Sequence, residues 1–96
     1  MHATVLMVNR VEEPAVAREE ERVRVRSCVM EFLKGNLLGN LQHAYSQPAA
    51  NGLDIILFFN SATPGEALLQ TRHIADVLRG EVLGFAEGWR VECKAP

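Results

Sequence analysis

Apolar positions along the chain fall into four short runs and two longer segments of helical period. The longest clean run is Ile55 to Phe59, inside Leu53–Asn60. It is rich in β-branched and aromatic side chains, with Asn51-Gly52 before it and Ser61-Ala62-Thr63-Pro64 after it. A short run that is apolar at every position reads as a strand buried on both faces. His2 to Val11 reads the same way. Ala3, Val5 and Met7 share one face, and Thr4, Leu6 and Val8 share the other. Leu41 to Ser46 and Trp89 to Lys94 alternate instead, which marks strands with one wet face. The first of these carries Leu41, His43 and Tyr45 together, and the second carries Trp89, Val91 and Cys93. Gln47 to Gly52 is turn chemistry, with Asn51-Gly52 expected to supply positive φ.

The helical segments differ in clarity. Thr63-Pro64-Gly65-Glu66 is a capping box with proline at the first helical position. The helix it opens has a broad inward face of Ala67, Leu68, Thr71, Ile74, Ala75 and Leu78, and Arg79-Gly80 supplies a stop. Leu69, His73 and Val77 form a second, narrow stripe on its outer side. The other helix is expected from Pro14 to Lys34, with an apolar stripe of Val25, Cys28, Val29, Phe32 and Leu33 and a stop at Gly35-Asn36. Arg18, Glu21 and Arg22 fall on that same stripe, so its first turns are expected to overhang the core. Arg22 to Arg26 also alternates with period two, which leaves a β-β-α-β-α-β sandwich as the alternative order. The helix is preferred, because Gly35 and Gly39 would interrupt the later helix that the alternative needs.

The preferred order is β-α-β-β-α-β, a ferredoxin-like α+β domain spanning residues 1–96. It implies a four-stranded antiparallel sheet with both helices on one face. The two strands apolar on both faces are those this arrangement puts in the centre. The helix-free face is then apolar at its middle, and an open apolar sheet face is an interaction surface.

Composition narrows the function. Ninety-six residues with 48% hydrophobic and 23% charged content suit one globular domain. A net charge of −2, with the cations of Arg18 to Arg26 interleaved by Glu19, Glu20 and Glu21, argues against nucleic acid. No run approaches a membrane span and no signal peptide opens the chain, so a cytoplasmic location is expected, with Cys28 and Cys93 reduced and packed as small core residues. His2, His43 and His73 are isolated from one another, so no metal site is expected. Gly35 to Asn40 lacks the features of a phosphate-binding loop, and neither a cofactor nor a catalytic residue is assigned. His73 and Asp76, at i and i+3, are expected to be a surface pair.

The expected function is therefore a small non-enzymatic interaction or regulatory domain. It binds a protein partner or forms a homodimer through Leu6, Val8 and Phe58 of the open face, with Leu69, His73 and Val77 as a second surface. In element order and size the layout is similar to dimeric α+β barrels, some of which are small monooxygenases or isomerases. That resemblance implies an alternative: a small-molecule ligand or substrate held on the helix-facing side by His43, Tyr45 and Trp89. An inhibitor or immunity-type protein is the third reading, and it shares the features of the first.

Overall fold

The computed structural model describes residues 2–11, 18–35, 40–60, 63–82 and 88–94. In chain order these form strand β1 (His2–Arg10), helix α1 (Glu19–Gly35), strands β2 (Leu41–Ala49) and β3 (Gly52–Phe59), helix α2 (Pro64–Val77) and strand β4 (Trp89–Cys93). A π-helical turn, Leu78–Val82, extends α2. The strands make one open antiparallel sheet in the order β2-β3-β1-β4. The two strands read as apolar on both faces, β1 and β3, lie in its middle.

Segment 22–26 is helical, which removes the alternative order. Val25, Val29 and Leu33 recur at i, i+4 and i+8 and are buried, a helical period that outweighs the local alternation. Glu19, Glu20 and Glu21 occupy the first turn, where carboxylates oppose the helix dipole. The expected start at Pro14 lies outside the described residues. At α2 the capping box forms as its sequence requires: the Glu66 amide donates to Thr63 Oγ1 at 3.2 Å. Its far end differs from expectation. The chain passes Gly80 in the π turn, and Leu78 keeps helical dihedrals at the boundary. The wider turn lets Leu78 stay fully buried while the Arg79 guanidinium reaches β4, donating twice to the Val91 carbonyl at 3.0 and 2.7 Å.

One buried cluster holds the layers together. Val25, Val29 and Leu33 of α1 join Ala67, Ile74 and Ala75 of α2 against Leu6, Val8, Leu53, Ile55, Leu57, Phe59 and Val91 of the sheet. Burying a side chain of this kind contributes about 1.5–3 kcal/mol. Thr71 is the polar member. Its hydroxyl donates to the Ala67 carbonyl at 2.7 Å and lies 2.6 Å from Thr4 Oγ1, which ties α2 to β1.

This cluster fixes which way each strand faces, and it corrects two expectations. Leu6 and Val8 are fully buried beneath the helices, not on the open face. Leu6 pairs with Ile55 and Val8 with Leu53, both also fully covered or nearly so. The other face of β1 is therefore Ala3, Val5, Met7 and Asn9, because side chains alternate along a strand. In β2 a register shift between Leu41 and His43 breaks the alternation. Leu41 is buried under the helices, whereas His43 and Tyr45 are exposed on the opposite face. The bulge adds one residue, and one residue reverses every side chain beyond it.

The β2–β3 connection is tighter than its sequence suggests. Pairing continues through Gln47, Pro48 and Ala49, leaving Ala50 and Asn51 at the turn. Proline is accommodated because β2 is an edge strand. Among the described residues positive φ occurs only at Gly88, so Asn51-Gly52 does not use it. Gly52 meets a different demand, for space. A Cβ there would overlap the Val8 carbonyl oxygen and lie 2.9 Å from Trp89 Cζ3.

Candidate functional site

The face of the sheet opposite the helices is built in cross-strand rows. Tyr45, Ile56 and Val5 stand side by side, followed by Lys94, whose amide donates to the Val5 carbonyl at 2.9 Å. One row over are Gln47, Asp54, Met7 and Glu92, and on the other side His43, Phe58 and Ala3. Asn9 and Arg90 complete the end nearest the β2–β3 turn. The centre is thus apolar, through Val5, Met7, Ile56 and Phe58, all half-buried by their neighbours. Tyr45 extends that strip while staying 56% exposed, and its ring meets Phe58 edge-on at 5.7 Å. His43 lies 6.3 Å from Tyr45 in a tilted arrangement.

Charge is confined to two places on this face. The β4 margin carries Arg90, Glu92 and Lys94, with Arg90 and Glu92 paired at 3.4 Å. Asp54 stands alone on β3, half-buried between Met7 and Gln47, with no ion pair or hydrogen bond to its carboxylate among the described residues. Lys94 likewise has no side-chain ion pair among them. A carboxylate at the edge of an apolar strip loses solvation once the strip is covered, so the cover must supply a partner.

The residues singled out from the sequence distribute unevenly. Phe58 lies on the open face as expected. Leu69 is 65% exposed on the outer side of α2, His73 is exposed beside it, and Val77 is half-buried. His43, Tyr45 and Trp89 are not brought together. The first two stand on the open face, whereas Trp89 shares its side of β4 with buried Val91 and packs on the core. Asp76 pairs with Arg79 at 2.7 Å rather than with His73. Val5, Met7, Ile56, Asp54 and Lys94 were not singled out. Asp54 was the available signal: a charge on β3 marks its side as the outer one, and Ile56 and Phe58 share that side.

Further concavities flank the sheet, among them one of about 210 Å³ between α1 and β2 with Leu33, Leu41 and His43 in its walls. A half-open groove of about 440 Å³ runs between the first half of β1 and the first turn of α2, with Val5, Pro64, Leu68 and Lys94 among its walls. Another, beside α2, holds Cys93 with Arg72, Asp76, Arg79 and Glu92. Burial pushes the Cys93 thiol up from its ordinary value, against the opposing pull of Arg79 and Arg72, so it is held as a thiol and not as a nucleophilic thiolate. Among the described residues no group of three or more His, Cys, Asp or Glu side chains is placed to hold a metal ion. No helix of the described residues is long and apolar enough to cross a membrane. Comparison with protein-family models, with curated proteins and with solved structures gives no match.

Proposed function

We propose that this chain is a ferredoxin-like domain that works as a small, non-enzymatic interaction module in the cytoplasm, binding protein through its open sheet face. The supporting observation is the strip of Val5, Met7, Ile56, Phe58 and Tyr45, which no described helix covers. The order β2-β3-β1-β4 accords with the ferredoxin-like arrangement. An apolar strip with polar margins has the composition of an interface core and rim. The reading rests on that strip and on no reactive group; burial raises the Cys93 thiol above its ordinary value, and Trp89 packs away from His43 and Tyr45.

Hydroxyl-radical footprinting tests this reading. Met7, Tyr45 and Phe58 are expected to be modified less in cell extract or at high protein concentration than in dilute purified protein, and Leu69 is expected to react equally throughout. Ile56→Asp should abolish the difference. Equal reactivity of the sheet face under every condition would refute the proposal.

A further inference from the structure

We infer that the free edge of β1 takes a short extended peptide as an added strand, seated in the groove between β1 and the first turn of α2. β1 pairs with β3 from His2 to Asn9 but with β4 only from Leu6 to Arg10. The Lys94 amide adds one bond to the Val5 carbonyl at 2.9 Å, and no described strand lies beyond it. That bond, and the bond from the Val11 amide to the Gly88 carbonyl at 2.6 Å, turn the odd-numbered residues of β1 toward β4. The Arg10 amide goes the other way, to the Asn51 carbonyl at 2.7 Å. Backbone polar groups alternate between the two sides of an antiparallel strand. The N–H and C=O of exposed Ala3 therefore both point to the side where β4 has ended, and neither has a partner among the described residues. Continuing the register would set Pro96 opposite Ala3, and proline has no amide hydrogen to give that carbonyl.

The groove suits a peptide beside that edge. Its volume of about 440 Å³ is that of a small binding cleft, and Pro64, Ala67 and Leu68 give it an apolar wall. Thr4 faces α2, as its contact with Thr71 shows, and directly paired residues share a face. A peptide residue opposite Thr4 therefore points at Ala67 and Leu68, where an apolar side chain fits. Its neighbour opposite Ala3 accepts from the Ala3 amide and donates to the Ala3 carbonyl. Charge sets the last requirement. Lys94 is exposed at the groove and has no ion pair among the described residues, and no carboxylate stands among the described walls. The occupant that complements all three features is a short apolar peptide bearing a carboxylate. Main-chain pairing gives such an added strand its affinity, and the side-chain pocket gives it selectivity. Free edges are commonly guarded by proline, a charge or a bulge, and His2 to Val5 carry none of these.

The probe is acetyl-Val-Leu-Val with a free C-terminal carboxylate, titrated into the isotope-labelled chain and followed by NMR. Saturable shifts of the Ala3, Val5, Leu68 and Lys94 amide signals are expected, with half-saturation at about 1 mM or below. A fully N-methylated form of the peptide cannot donate to the Ala3 carbonyl and is expected to bind about ten-fold more weakly or worse. The C-terminal amide of the peptide, which lacks the charge for Lys94, is expected to bind about three-fold more weakly. Ala3→Pro removes the edge amide at a position where a strand accepts proline, and is expected to lose about ten-fold in affinity with its thermal midpoint retained. No saturable shift up to about 10 mM would overturn the inference. Equal binding of the N-methylated peptide would overturn it too, by reducing the site to apolar contact, and this comparison stands even where Ala3→Pro does not fold. Signals that move on dilution of the chain and not with peptide would assign the edge to a second copy and likewise overturn it.

Discussion

Single side chains decide the layout at positions where the hydrophobic pattern is neutral. Gly52 sits against the Val8 carbonyl, 2.9 Å from Trp89 Cζ3 and 3.0 Å from Asn9 Cα, measured from where a Cβ would stand. Two of these neighbours are backbone and cannot move aside. Gly52→Ala is therefore expected to lose about 1–3 kcal/mol of stability, the range for overpacking. Urea unfolding monitored by circular dichroism measures it, and an unchanged midpoint would show that the sheet yields more easily than its packing implies. Gly52 was legible as a turn residue but for another reason: Asn-Gly signals positive φ, and close approach leaves no signature in one sequence. Asp54 is the opposite case. Its charge alone shows which side of β3 faces outward, because nothing among the described residues compensates it there.

At the scale of elements, amphipathic periodicity located both helices and proline and glycine punctuated them, but docking was hidden. Arg22 lies on the apolar stripe of α1, where an overhanging turn was expected. Instead its guanidinium donates to the Gly52 carbonyl at 3.1 Å and the Ala49 carbonyl at 3.0 Å, and pairs with Glu19 at 2.7 Å. Beside it Glu21 pairs with Arg10 of β1 at 2.5 Å. Thus the charged end of α1 clamps the β2–β3 turn, while its apolar end fills the core. Arg22→Met keeps the stem and removes the fork, and is expected to cost about 1.5–3 kcal/mol, the scale of hydrogen bonds from a charged group. Arg22→Lys should recover little of that, because an ammonium cannot span two carbonyls as a planar fork does. Thermal unfolding of the two variants decides this: equal stability of Arg22→Lys and the parent would contradict the clamp. The strand faces were hidden for a related reason. A strand apolar on both sides has no preferred parity, so Leu6 and Val8 could not be separated from Val5 and Met7 by pattern. The bulge after Leu41 then reversed the expectation for His43 and Tyr45.

For the whole molecule, the central strands were the most legible feature, since burial on both faces requires apolar residues at every position. They also carry the most pairing: β1 and β3 each have two neighbours, β2 and β4 only one. Amide exchange should follow that order. The amides of Leu6, Val8, Ile55 and Leu57 are expected to exchange most slowly, by global unfolding, and those of the edge strands earlier, by local opening. Hydrogen exchange followed by mass spectrometry tests this, and faster exchange in β1 than in β4 would contradict the topology. The net charge weighs against nucleic acid and the expected helix-free apolar face suggests an interaction surface, but the geometry of any contact depends on which charges the fold leaves unpaired. That information lies in three dimensions only.

Trp89 is the sole tryptophan of the chain, and it leans on the bare backbone at Gly52, where β1, β3 and β4 converge. Its emission therefore comes from a single address in the molecule. Light from that indole reports whether β4 is seated on its neighbours, and it is blind to the far side, where β2 forms the edge. The protein thus carries a built-in optical gauge of one seam, which distinguishes the release of its last strand from the loss of the whole fold.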